Sequence, residues 1–296
     1  MRLHHHLKFW FKQSIRLNPA PRIVTNTNEK TRIEHYCSPC TENIHNSVSV
    51  NSISKFRGTG YAYDWYQIFS SKDKRKCAVK FGDVIDHFDQ PTFTKSRPIL
   101  ERKNNNILLP LDSIRHFKFF NDSTNYFSKK DNAVWRGAAY FEHRKRFLAA
   151  CTNISHLDVA DTSKRENDPN LLKPSNYLTI SEQLQSKFIF AIEGYDVASN
   201  LKWIMGSNSI PIMPKPKFES WFCESTLIPG EHYIEIASDF SNIEQIIDDY
   251  LSKPKLCKEI SENGKVYAAC YSSPKRQYSI AREVAERYFE IVNTIY

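Results

Sequence analysis

The chain has 296 residues, of which 41% are hydrophobic and 25% charged, enough apolar material for a large core and too much for a disordered polymer. Its 41 Lys and Arg against 33 Asp and Glu leave a net charge of +8, which suits anionic partners such as nucleic acid, sugar nucleotides or acidic lipid headgroups without choosing among them. Mean hydropathy is −0.54 and no apolar run approaches the roughly 18 residues of a spanning helix. An integral membrane protein is therefore excluded, and a soluble or peripheral one expected. The 7 cysteines are odd in number and scattered through a chain too long to need staples, the pattern of reduced thiols in a cytoplasm.

At the amino terminus Leu3, Leu7, Trp10 and Phe11 fall on one helical face, with Arg2, Lys8, Lys12 and Arg16 supplying charge. Such a helix either lies on an anionic membrane surface or packs on its own domain. The segment has no apolar h-region and no small-residue cleavage site, so no export address is expected. His4 to His6 are consecutive and do not share a helix face, which reads as a surface cluster rather than a metal site. From Pro19 to about Ser54 the chain is polar and rich in Asn, Thr and Ser, predicting loops with a weak strand signal at Arg22 to Val24. Cys37 and Cys40 form a Cys-x-x-Cys without a second pair at ligand spacing and read as loop thiols.

Tyr61, Tyr63, Trp65 and Tyr66 suit either an aromatic core or a surface on which a sugar stacks. Cys77 to Phe81 predicts a strand that stops at Gly82-Asp83, and Ile107 to Leu111 a second buried strand. Asn121 to Asn132 is polar and reads as a linker, dividing the chain into 1–125, 126–275 and a terminal helix, 276–296. The second half alternates: a strand at Val134, a helix from about His143 to Cys151, a strand near Leu157, a helix around Ser181, and strands at Phe188 to Ile192 and Ile210 to Met213. Alternation of this kind means an α/β fold with a parallel sheet flanked by helices. Thr179 with Glu182, and Ser241 with Glu244, have capping-box spacing. Ile280, Val284, Tyr288, Val292 and Ile295 keep helical spacing from Pro274 to Tyr296.

The segment Lys187 to Met213 reads strand, polar turn, helix, strand. In a parallel sheet that turn lies at the carboxyl edge, where backbone N–H groups and the helix dipole favour an anion. Trp135-Arg136-Gly137 puts an arginine at a strand end beside a glycine that permits close approach, and Arg144 follows on the next helix. Guanidinium groups pair bidentately with phosphate oxygens, so both arginines are candidate diphosphate clamps. Lys145 and Arg146 read as a solvated helix face.

In family order, Gly82-Asp83, Pro91-x-x-x-Lys95-Ser-Arg97-Pro, Trp135-Arg136-Gly137 with Arg144, Gly194 to Lys202, and Glu219-x-Trp-Phe followed by Pro229-x-x-His232-Tyr233 make roughly residues 60 to 270 resemble glycosyltransferase family 90, and within it the bacterial lipooligosaccharide branch. The resemblance implies a GT-B-like fold: two Rossmann-type domains face a cleft, the N-terminal one on the acceptor side and the C-terminal one binding the nucleotide sugar, with the last helix packing back across both. It implies that Asp83 is the catalytic base, that Arg136 and Arg144 hold the nucleotide, and that the turn of Gly194, Tyr195, Asp196, Val197, Ala198 and Ser199 cradles its diphosphate. Many relatives carry Arg where this chain has Asn200, so Lys202 or another cation is expected to neutralise the leaving group. Lys95 and Arg97 are further candidates.

Inverting transfer needs one carboxylate to take the acceptor hydroxyl's proton and positive charge opposite to stabilise departing UDP. Asp83 is preferred over Asp86 and Asp89 because it ends a strand, with Asp86 next. Glu219 either binds sugar or ribose hydroxyls or starts a helix. There is no Asp-x-Asp, the motif by which metal-dependent sugar transferases hold a cation, so no metal and no cofactor are expected beyond the UDP-sugar substrate. The expected enzyme moves a hexose from UDP to a lipooligosaccharide core, peripheral on the inner face of the bacterial inner membrane. Capsule polysaccharide or a protein serine is the alternative acceptor. A basic nucleic-acid-binding protein is the rival of another class, disfavoured because the cations are dispersed and no nucleic-acid motif accompanies them.

Overall fold

The computed structural model describes residues 26–56, 59–99, 104–163 and 177–294. The N-terminal apolar face, His4 to His6, the strand signal at Arg22 to Val24 and Ile295 lie outside them.

The first half opens with helix α1 (Asn26–Tyr36), short strands β1 (Asn43–Ile44) and β2 (Val48–Ser49) and helix α2 (Gly60–Ile68). Strands β3 (Lys76–Val79), β4 (Thr92–Thr94), β5 (Ser96–Pro98) and β6 (Asn106–Leu108) follow, then the one-turn helix α3 (Ser113–His116). A four-stranded sheet runs β2-β3-β4-β6, parallel except for the antiparallel edge pair β2/β3. The loop expected from Pro19 to Ser54 thus contains a helix. Tertiary contacts rather than periodicity hold it: Arg32 lies over the Tyr271 ring at 4.5 Å, and Tyr36 stacks on Trp221 at 3.8 Å. Trp65 is buried against Phe69, Phe81 and Phe93, so that part of the aromatic cluster is core.

The second half alternates as its periodicity predicts. It comprises β7 (Lys130–Gly137), α4 (Glu142–Ala150), β8 (Leu157–Asp161), α5 (Ile180–Gln183), β9 (Ser186–Phe190), α6 (Leu201–Met205), β10 (Ile210–Met213), β11 (Phe218–Ser220), β12 (Ile234–Glu235), α7 (Ile243–Leu251), α8 (Pro254–Ala269), α9 (Pro274–Ile291) and β13 (Asn293–Thr294). Five strands pair in the order β12-β10-β9-β7-β8, all parallel. Both faces of this sheet are covered, which is why its central strands are almost continuously apolar. Alternate residues serve the two faces. Ala133, Trp135, Phe188, Phe190, Ile210 and Ile212 face Phe147, Ile243, Ile247 and Ile260. Val134, Ile189, Ala191 and Met213 belong to a core that continues into Phe93 and Ile107 of the first half and Val284 and Tyr288 of α9.

Thr179 and Glu182 form the capping box their spacing predicts. Ser241 and Glu244 do not: Asp239 captures the Ser241 hydroxyl at 2.8 Å, and the helix starts after Asn242 with no side-chain cap. The polar stretch 121–132 is packed rather than a free linker. Lys129 is buried with Nζ 2.8 Å from Asp122, Asp122 also accepts from the Asn208 N–H, and Lys130 already belongs to β7. Helix α9 stops at Ile291, before the expected Tyr296, because Val292 turns extended and Asn293 and Thr294 pair with Asn43 and Ile44.

Helix α9 lies on the first half. Tyr278 donates to Asp64 at 2.6 Å, while the Tyr288 hydroxyl accepts from the Ala78 N–H at 3.0 Å and donates to the Pro91 carbonyl at 3.0 Å. Tyr288 is fully buried, so Tyr288→Phe leaves a backbone donor and a carbonyl short of partners. A loss of about 1–3 kcal/mol is expected from the urea midpoint, whereas Tyr140→Phe, at an exposed position, stays within about 0.5 kcal/mol.

Candidate active site

Along the parallel sheet, β7 is followed by β8 on one side and β9 on the other. The chain's direction across the sheet therefore reverses between β7 and β9, and the carboxyl ends of strands flanking such a reversal open a crevice. A cavity of about 500 Å³ lies there. Phe141, Glu142 and His143 line it after β7, Glu193, Gly194 and Tyr195 after β9, and Met213 to Phe218 after β10. Ile85 reaches it from the first half.

Arg144 and His143 build the floor of the turn after β9. Arg144 donates to the carbonyls of Ala138, Ile192 and Glu193 at 3.0, 2.8 and 2.9 Å, and His143 Nε2 is 2.8 Å from the Glu193 carbonyl. Burial holds the Arg144 pKa below the usual guanidinium value. A Cβ on Gly194 would sit 3.3 Å from Arg144 Nη2, so the glycine lets backbone and guanidinium meet. The Gly194 N–H bonds the Asp196 carbonyl at 3.0 Å, and Asn200 bonds the Phe190 carbonyl at 2.8 Å, which closes the turn. Tyr195, Val197 and Ala198 line the cavity, while Ser199 is exposed and does not line it. Helix α6 behind the turn is only five residues long and wholly buried.

Other expected donor contacts are placed elsewhere. Arg136 donates to the Asp158 carboxylate and carbonyl of β8, both at 2.6 Å. The close approach at Gly137 is to the Trp135 ring, which a Cβ would meet at 2.5 Å. Lys202 is buried in an ion pair with Glu224. Glu219 is buried between Arg97 Nε at 2.7 Å and His35 Nε2 at 2.9 Å and also accepts from Ser225. Burial alone would raise its pKa, but the His35 hydrogen bond and the Arg97 charge outweigh that and bring it to about 2. Glu219 and Arg97 sit opposite each other in the antiparallel β5/β11 pair, so this cluster joins the two halves.

A second junction contains Asp83. Gly82 has φ +109°, in the region that favours glycine, and turns the chain after β3 so that Asp83 points toward β5. Lys95 Nζ lies 2.5 Å from Asp83 Oδ1 and 2.7 Å from Asp196 Oδ2, and Ser96 donates to the same Asp196 oxygen at 2.5 Å. Arg115 Nη2 is 2.8 Å from Asp83 Oδ1. Burial would raise the Asp83 pKa, but the hydrogen bonds and charges of Lys95 and Arg115 hold it below the usual carboxylate range. Asp86 is exposed, and its carbonyl, not its carboxylate, is engaged, accepting from Asn106 at 2.8 Å. The base candidate, Lys95 and Asp196 of the turn after β9 are therefore one chain of contacts.

The profile of Glycosyl transferase family 90 matches residues 111–289. Across 221 residues, 74% of this chain and 68% of the relative, the sequence is 36% identical to the O-glucosyltransferase LpsA of Dichelobacter nodosus. The chain belongs to glycosyltransferase family 90. It is a glycosyltransferase, so a sugar donor and an acceptor are its substrates. Among the described residues no helix is long and apolar enough to cross a membrane.

Sequence reasoning did not select Glu193, His143, Lys217, Arg115 or His116. Glu193 carried a signal, being the last residue between a predicted strand and the predicted turn. Arg115 and His116 carried none, because they reach the site only through folding of a one-turn helix. In this glycosyltransferase Glu193 is a wall of the cavity whose Oε1 accepts from the Lys217 and Phe218 N–H groups at 3.0 and 3.2 Å. Burial nonetheless raises its pKa from 4.5 to about 7. The fold therefore keeps a proton that the unfolded chain releases, so this group's contribution to stability is greatest below pH 4.5, falls as pH rises toward 7 and stays low above it. The difference in melting temperature between wild type and Glu193→Gln should follow that course, moving against wild type across this interval and flattening beyond it.

Proposed function

We propose that this enzyme transfers a hexose, with inversion and without a metal ion, from a UDP-sugar to a hydroxyl of a lipooligosaccharide or lipopolysaccharide core. In this reading the two halves, 1–125 and 126–275, act as the facing Rossmann-type lobes of a GT-B enzyme, with 276–296 strapping the second to the first. The observation that carries the proposal is the position of Asp83. It is one lysine away from Asp196 of the donor turn and two residues from Ile85 in the cavity wall.

In the reaction the acceptor oxygen attacks the anomeric carbon, the bond from that carbon to the UDP oxygen breaks, and the hydroxyl proton passes to Asp83. Both cations occupy Oδ1 of that carboxylate, which leaves Oδ2 for the incoming hydroxyl. His143, Arg146, Lys215 and Lys217 line the cavity and supply the positive potential that a departing diphosphate requires. They take the role that the sequence reading gave to Arg136 and Lys202. Such cations make metal-independent transfer chemically adequate, in keeping with a sequence that has no Asp-x-Asp. The O-glucosyltransferase relative supports glucose as the hexose. The net charge of +8 supports work against an anionic membrane, at the cytoplasmic face of the bacterial inner membrane.

The test is hexose transfer from UDP-glucose and UDP-galactose to truncated lipooligosaccharide. Asp83→Asn should lower turnover by about 10²–10⁴-fold, the range for losing a general base, while its melting temperature still rises with UDP. Unchanged turnover removes Asp83 from the role of base.

A further inference from the structure

The two cations on Asp83 differ in one respect that matters for the reaction. Lys95 has 2% of its side chain exposed and is held on its far side by Asp196. Withdrawing it would leave the buried Asp196 carboxylate without its cation, which is strongly unfavourable. Arg115 has 48% of its side chain exposed and sits on α3, one turn of helix after Asp112, a residue with φ 57°. Its remaining partners hold it weakly: the Asp112 carboxylate lies at 3.2 Å, and the His116 ring, within 3.0 Å, is kept neutral by burial and by the charges of Lys95, Lys202 and Arg115. A half-exposed ion pair of this kind exchanges at little cost.

Two cations on Oδ1 withdraw charge from the whole carboxylate and make its open Oδ2 a weaker proton acceptor too. The strongest competitor for a guanidinium is a phosphate group, which it grips with two parallel hydrogen bonds. We propose that Arg115 is a donor-sensitive gate: in the free enzyme it caps Asp83, and when a nucleotide diphosphate enters the cavity it moves to the phosphates and releases the carboxylate for the acceptor hydroxyl. Lys95 stays in place and keeps Asp83 aligned with the donor turn. Arg115 is thus a positioning residue for the base. The other groups facing Asp83 and Arg115 are Asp112, Asp196, Tyr61 and His116, and none offers Arg115 a partner as strong as a diphosphate. Transfer then follows an order, with Asp83 reaching its full basicity only after the donor is bound.

This inference rests on Asp83 as base and on the cavity as donor site, and calorimetry on the full-length protein separates the levels. The probes are UDP and uridine, with Asp83→Asn, Arg115→Met and the double variant. If Arg115 must leave Asp83 to reach phosphate, Asp83→Asn frees it and tightens UDP binding about tenfold, whereas Arg115→Met weakens UDP binding about tenfold, the scale of one charge-assisted hydrogen bond. In the Arg115→Met background the gain from Asp83→Asn disappears, and uridine, which has no phosphate, is bound alike by all four proteins. An equal gain from Asp83→Asn with and without Arg115 would reduce the effect to general charge repulsion and overturn the gate. UDP affinity indifferent to Arg115 would overturn it as well, leaving the donor site intact. Failure of the wild type to bind UDP would remove the donor reading itself and the gate with it.

Discussion

A buried ammonium group cannot be left unpaired, and Lys95 meets that requirement with two carboxylates from opposite halves of the chain. Asp83 follows a strand of the first sheet, and Asp196 lies in the turn after a central strand of the second. Asp83 is set by the positive φ of Gly82, and Asp196 by a short bond from Ser96, which itself comes from the first half. The lysine beside that serine bonds both carboxylates at once. Without it Asp83 and the turn after β9 would be joined only indirectly, through Ser96, which bonds both Asp196 and Val84, and through the surrounding apolar packing.

The same device recurs around the junction. Arg97, Glu219 and His35 close one side through the β5/β11 pair, Lys202 and Glu224 lie behind the turn, and Lys129 and Asp122 pin the start of β7. Buried pairs contribute little net stability because desolvation offsets their attraction, yet removing one partner is costly. The Arg97 and His35 bonds to Glu219 make relative displacement of the two halves unfavourable, while Lys202 and Glu224 fix the packing behind the turn. The apolar core that runs from Phe93 through Ile189 to Tyr288 supplies the free energy that permits so many buried charges.

Much of the second half is legible in the residues. Continuous apolar runs at Phe188 to Ile192 and Ile210 to Met213, separated by helical periodicity, require a sheet covered on both faces, and the turn after β9 then has to lie at the carboxyl edge. Asp83 is legible too, through the Gly82-Asp83 turn after β3, although the strand itself stops at Val79, short of the expected Phe81. The first half is less so. Helix α1 has no marked periodicity and exists because Trp221, Tyr271 and Gln277, close to two hundred residues or more away, accept its Arg32 and Tyr36. Strands of two or three residues, such as β5 and β11, are too short to show alternation.

Residue types and their spacing determined the fold class, the position of the turn after β9 and one carboxylate shortly after a strand, because those follow from local backbone preference and from which faces must be buried. Which cations serve that site was decided only in three dimensions. Arg136 and Lys202 have the right chemistry for a diphosphate, but a guanidinium or ammonium takes the nearest carboxylate the fold offers, and for these two it is Asp158 and Glu224. Arg115 carries no mark in the sequence and reaches Asp83 because a single helical turn after Asp112 places it there.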